Sequence, residues 1–170
     1  LATALPILAA PGTELVDSFA WSYPIDRIQV RIDGLGAFFL AWSLPMVLLG
    51  SIYAVGYLRG FFATRHLGIH FALLNLTSFA FLMIYTLEST LVFLLGWEIA
   101  AVSAWLLVIW DHSSQKIRFA GFNYLVSTPL GLFFLVAALM VLHSQTGSMD
   151  FNSFAGFLQT PSTLRNTTFV

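Results

Sequence analysis

Long stretches without a charged residue alternate with short polar breaks along this chain. Gly34–Leu58 is charge-free, and Leu67–Leu87 holds only His70 near its start. Ser89–Trp110 is interrupted by Glu98 alone, and Phe119–Leu142 is again charge-free. A bilayer core of ~30 Å is crossed by about 20 helical residues, and each of these runs is long enough. In lipid the backbone must satisfy its own hydrogen bonds, so such runs are helices. The pattern therefore predicts four transmembrane helices, at 34–58, 67–87, 89–110 and 119–142, in an all-α polytopic membrane protein.

The flanks read differently. Leu1–Ala10 is apolar but too short to span, and is expected to be the tail of a preceding helix. Leu15–Ile32 alternates weakly and contains Tyr23-Pro24, as a short extended excursion outside the membrane would. In 143–170, Phe151, Phe154, Phe157 and Leu158 recur at helical spacing, which predicts a short amphipathic surface helix. The first residue is Leu1 and the last residues carry no helix terminator. Both ends read as cut from a longer chain, with another spanning helix to follow.

Composition agrees. Of 170 residues, 58% are hydrophobic and 9% are charged, and the mean hydropathy is +0.85. A soluble globule needs more polar surface than this. A net charge of −1 with scattered Lys and Arg excludes a nucleic-acid partner. With no Cys there is no disulfide, no thiolate chemistry and no cysteine-ligated cluster. The four histidines, His66, His70, His112 and His143, lie near span ends or in loops and show no metal-ligand spacing. No cofactor is expected in this chain.

Loop charge sets the orientation. Arg59 and Arg65 lie in one loop and Lys116 and Arg118 in another, two breaks that fall on the same side of the membrane. The positive-inside rule makes that side cytoplasmic. The segment before the first span, the Glu88 turn and the region after the fourth span, with Asp150 and Arg165, then lie outside. Ser113 or Ser114 is placed to cap the fourth helix.

Glu98 stands near the middle of its span. A charged side chain there costs about 2.5 kcal/mol or more, so it must face protein or water, be neutral, or be paired. Burial raises a carboxyl pKa and a nearby cation lowers it. A group held between those influences can exchange a proton near neutral pH, as a relay requires. The alternative is a structural glutamate hydrogen-bonded to a neighbouring helix. Ala101 and Trp105 share its side of the helix, and Gly96, Ala100, Ala101, Ser103 and Ala104 permit close helix approach. No Lys or Arg lies inside these four runs, so a cationic partner is expected elsewhere in a longer protein. Asp33, at the start of the first span, is expected to cap it. Asp33, Glu88 and Trp105 are the accessory candidates. Pro45 and Pro129 interrupt spans and free backbone carbonyls. Asn75, Thr77, Ser78, Asn123, Ser127 and Thr128 are read mainly as interhelical hydrogen-bonding groups.

Several segments carry a resemblance. Arg31-Ile-Asp33-Gly34-Leu35-Gly36-Ala37-Phe38-Phe39, Leu95-Gly96-Trp97-Glu98, Ser103-Ala-Trp105-Leu-Leu107, Ala120-Gly121 with Tyr124 and Gly131, and Gly147-Ser-Met-Asp150-Phe151 with Phe154 occur in that order. The chain thereby resembles the antiporter-like subunit family. Its members are the large proton-pumping membrane subunits of respiratory complex I, the matching subunits of membrane-bound nickel–iron hydrogenases such as formate hydrogenlyase, and those of multi-subunit sodium/proton antiporters. The Ser-x-Trp-Leu and Ala-Gly-x-x-Tyr details look closest to the hydrogenase branch.

The resemblance implies a protein of about fourteen helices, of which this chain covers the end of the second through the start of the seventh. It implies that Glu98 matches the family's fifth-helix glutamate, which works with a lysine on the seventh helix. It also implies neighbouring membrane subunits, a peripheral redox arm and an inner-membrane location. Where family members often place a polar or charged group midway along the sixth helix, this chain has Pro129 and Leu132. A sodium/proton antiporter component and a purely structural anchor are the competing readings.

Overall fold

The computed structural model describes residues 2–10, 12–21, 27–61, 63 and 65–154. A short helix α1 (Ala4–Ala9) precedes an antiparallel hairpin of β1 (Leu15–Ala20) and β2 (Arg27–Ile32). Four long helices follow: α2 (Gly34–Tyr57), α3 (Leu67–Thr86), α4 (Thr90–Ile109) and α5 (Gln115–Thr146). A 3₁₀ turn, Leu58–Phe61, extends α2, and a single turn α6 (Phe151–Phe154) ends the described part. All four long helices are long and apolar enough to cross a membrane. Their outer faces carry large apolar side chains such as Trp42, Phe133 and Phe134, surface suited to lipid or to further apolar helices. The fold is that of a multi-pass helical membrane protein with one accessory hairpin.

Local chemistry explains the boundaries. The Asp33 carboxylate accepts from the Gly36 amide at 2.7 Å and so caps α2. Of the two serines at the start of α5, Ser114 is the cap, accepting from the Lys116 amide at 3.2 Å. That helix begins before the charge-free run, because Lys116 and Arg118 occupy its first turn. Long cationic side chains at a membrane-helix end reach out to the polar interface. Gly147, at φ 71°, stops α5 in the left-handed region open to glycine. The hairpin accounts for the weak alternation of Leu15–Ile32: β1 is exposed along its whole length, so it has no buried face to pattern. Tyr23-Pro24, Asp26, Phe157, Leu158, Arg165 and the expected following span lie outside the described residues.

Helix α4 is the central element, packed on α3 along one side and on α5 along the other. Val92, Gly96, Ala100 and Ser103 form its buried stripe. A side chain at Gly96 would meet Met83 Cβ at 3.1 Å and the Ala80 carbonyl at 3.4 Å, so α3 and α4 are in close backbone approach. Ser103 donates to the Ile99 carbonyl (2.6 Å) and accepts from Thr77 of α3 (2.8 Å). An interhelical bond of this kind contributes about 0.6 kcal/mol.

The two ends of the bundle are built differently. At one end β2, the α3–α4 turn and the segment before α6 form a small patch of paired backbone. Val30 bridges Leu87, and Ser89 bridges Asp150. The Glu88 amide donates to Gln29 at 3.1 Å, and its carbonyl accepts from Phe151 at 3.2 Å. At the other end Arg65 ties the α2–α3 connection to the α4–α5 connection. It bonds Asp111 at 2.8 Å and the Trp110 carbonyl at 2.7 Å, and lies 5.7 Å from the centre of the Trp110 ring.

Candidate functional site

Glu98 sits in the second turn-and-a-half of α4, ~12 Å along the axis from its first residue. It is half-buried and borders two adjoining spaces. One, of about 280 Å³, is walled by Leu76 of α3 with Ile99, Val102, Ser103 and Leu106. The other, of about 90 Å³, lies between α4 and α5 and is walled by Ala101, Val102, Trp105, Tyr124, Leu125, Thr128 and Pro129. Among the described residues no hydrogen bond or ion pair reaches the Glu98 carboxylate. The carboxylate is therefore open to a partner on its outward side.

The site needs α4 and α5 together. Trp105, one of the accessory candidates, donates its indole N–H to the Gly121 carbonyl of α5 at 3.1 Å. Gly121 allows this contact, because a Cβ there would overlap the Ile109 side chain. The bond fixes the ring that closes one end of the Glu98 cavity. Thr128 donates to the Tyr124 carbonyl at 2.8 Å. Pro129 has no N–H to give to the carbonyl of Leu125, four residues earlier, so that oxygen is freed from the helical ladder. Leu125 and Pro129 both line the cavity. The middle of α5 carries no charged side chain, but it offers a freed backbone carbonyl and the Thr128 hydroxyl beside Glu98.

A larger space of about 450 Å³ lies between α3, α4 and α5. It is lined by Tyr85, Trp97, Ala100, Ala104, Tyr124 and Ser127 among others, and shares Ala101, Tyr124 and Thr128 with the Glu98 cavity. The small residues of α4 leave this volume open.

Asp33 and Glu88 do not join Glu98. Both lie at the hairpin end, where a second space of about 450 Å³ is lined by Arg31, Asp33, Tyr85, Thr86, Glu88 and Asn152 with apolar neighbours. Asp33 is occupied as the α2 cap. Glu88 is 5% exposed and lies 3.3 Å from the Arg31 guanidinium. The sequence gives no signal for that pair, since the hairpin alone brings the two residues together.

At the Arg65 end, the Asp111 carboxyl is held below the ordinary aspartate range, chiefly by the Ser113 hydroxyl and further by Arg65. A carboxyl held low in the folded state contributes stability above its unfolded value and loses it as pH falls through the folded value. The Arg65 contact is therefore expected to stay closed at neutral and mildly acidic pH and to loosen only in stronger acid. Amide exchange in the segment around Arg65, followed with falling pH, checks this. Asp111→Asn should loosen the same segment already at neutral pH.

Comparison with known proteins fits this architecture. Residues 88–169 match the transmembrane family described as NADH:quinone oxidoreductase/Mrp antiporter. The protein Rv0083 of Mycobacterium tuberculosis is 32% identical over 151 residues, which is 88% of this chain and 22% of that protein. Hydrogenase-4 component B of Escherichia coli is 25% identical over 143 residues, 84% of this chain and 21% of that protein. The chain thus spans about a fifth of the length of these relatives. The structure of the membrane-bound sulfane sulfur reductase, an archaeal respiratory membrane complex, contains a chain that superposes with a TM-score of 0.73. The superposition covers 98% of this chain and 33% of that one, at 16% identity. The protein is a multi-pass helical membrane protein that shares its fold with a chain of that respiratory membrane complex. It is similar to the NADH:quinone oxidoreductase/Mrp antiporter family over residues 88–169 and to a hydrogenase component over most of its length.

Proposed function

We propose that this chain is part of a proton-translocating subunit of a redox-driven complex of the hydrogenase or NADH:quinone oxidoreductase type, with Glu98 in the proton path. The observation that carries this reading is the placement of Glu98. It is the one carboxylate within the interior of the four helices, it borders cavities on both flanks of α4, and no described residue pairs with it. A half-buried carboxylate with an open side can accept a proton and pass it on. Tyr124, Thr128 and the freed carbonyl of Leu125 line one of those cavities, groups able to order water for proton transfer. The cationic partner belongs to a part of the protein beyond this sequence.

On this reading the chain holds no redox group. Electrons move in a peripheral arm, and charge shifts in neighbouring membrane subunits change the field at Glu98. The location is the inner, cytoplasmic membrane, with the Arg59/Arg65 and Lys116/Arg118 connections inside and the hairpin end outside. The likeness to hydrogenase-4 component B and the Ser103-x-Trp105-Leu pattern favour the hydrogenase branch.

The test is to tag the full-length protein, solubilise the membrane gently and identify what co-purifies. Nickel–iron hydrogenase or quinone-reductase subunits are the expected result. Recovery of small membrane subunits alone would replace the redox-driven reading with that of a sodium/proton antiporter component.

A further inference from the structure

We propose that Glu88, held by Arg31 in the cavity at the hairpin end, is a second proton-exchange site, where the route from Glu98 meets the water outside. The inference rests on the reading of Glu98 as a proton carrier and adds its outer terminus.

Glu88 is held rigidly by its backbone and only loosely by its side chain. Its amide and carbonyl are bonded to Gln29 and Phe151, so the residue cannot withdraw into water. The carboxylate is nevertheless 4% exposed, and its Oε2 has no hydrogen-bond partner. The Arg31 Nε facing it at 3.3 Å is likewise without a hydrogen bond. A buried carboxylate that is close to a half-buried cation but not bonded to it carries a desolvation cost that the geometry does not fully offset. Taking up a proton on Oε2 is one way to relieve that cost.

Arg31 makes the change reversible. Its guanidinium also lies 3.2 Å from Glu14, whose side chain is 47% exposed. When Glu88 becomes neutral, Arg31 remains compensated by Glu14, and no unpaired cation is left beside it. In the forward step a hydrated proton forms the O–H bond on Oε2 and Arg31 turns to Glu14. In the reverse step that bond breaks, water carries the proton away and Arg31 returns. The other titratable groups facing Glu88 are Asp33 at the α2 cap, Tyr85 of α3, and Asp150 beside the bridge to Ser89.

The spaces are neighbours with shared walls. The Glu88 cavity shares Ile84 and Tyr85 with the central cavity. The central cavity shares Ala101, Tyr124 and Thr128 with the Glu98 cavity. Three of these shared residues carry hydroxyls, and each 450 Å³ space has room for several waters.

The experiment uses the full-length protein in its native complex, reconstituted in lipid vesicles. Infrared difference spectra follow the carboxyl C=O stretch while the pH on the hairpin side is stepped. A band that responds to that pH is expected in the parent and in E98Q, and is expected to vanish in E88Q. In R31Q the band is expected to respond over a different pH range from the parent, because the cation facing the carboxylate is gone. In R31K, which keeps the charge, it should stay near the parent range. A band that survives E88Q, or a pH range unmoved in R31Q, overturns the proposal. Should E88Q fail to assemble, the R31Q and R31K pair decides alone. Retained pumping in E98Q would instead sink the role of Glu98 and leave the Glu88 band as found.

Discussion

Glu98→Gln in the full-length protein is expected to lower proton pumping by about 10²–10⁴-fold, the range over which a positioned acid–base group acts. Redox turnover should persist at least in part. Glutamine keeps the volume and hydrogen-bonding reach of glutamate but cannot ionise, so the walls formed by Ala101, Trp105, Tyr124 and Thr128 need not move. Assembly should therefore be preserved, which separates a proton carrier from a packing residue. Vesicles of the complex, with a lumenal pH dye and turnover measured together, give both numbers. Unchanged pumping removes Glu98 from the path. Loss of the assembled complex without a selective pumping defect favours the structural-anchor reading.

The spans were legible in the sequence because lipid imposes a length and forbids unpaired backbone. The Asp33 cap was legible for a similar reason: the carboxylate and the amide it meets are three residues apart, so local geometry suffices. Glu98 was visible as an interior charge. Its half-burial and its two bordering cavities were not, because they depend on how α4 sits against α3 and α5.

Contacts between elements distant in the chain account for the rest. Helical spacing alone puts Trp105 on the Glu98 side of α4, but its bond to the Gly121 carbonyl depends on the α4–α5 crossing. The Arg31–Glu88 pair requires the hairpin to fold back onto the α3–α4 turn. The hairpin itself left only a weak trace, since an exposed strand has no buried face to impose alternation. Loop charge placed Glu88 in an acidic turn; the fold gives it a facing cation and a cavity.

Gly36→Val is expected to destabilise the protein by about 1–3 kcal/mol, the usual cost of forcing extra atoms into a packed contact. A Cβ at Gly36 would stand 2.7 Å from the Tyr85 carbonyl oxygen and 3.4 Å from the Asp33 carboxylate. The first obstacle is backbone near the end of α3, which cannot rotate aside as a flexible side chain would. Helix α2 must therefore move away from α3, and the valine also crowds the carboxylate that caps α2. Gly36 and Tyr85 both line the Glu88 cavity, so the displacement reaches the hairpin end as well as the helix pair. Gly34→Ala is the control: a Cβ there meets nothing within 4 Å, and the change should be close to neutral. Thermal unfolding of the full-length protein in mild detergent compares the two. Equal stability of Gly36→Val and Gly34→Ala would show that α2 and α3 do not approach through Gly36. The expected loss confined to Gly36→Val would tie the first membrane helix, through one glycine, to the placement of the Arg31–Glu88 pair.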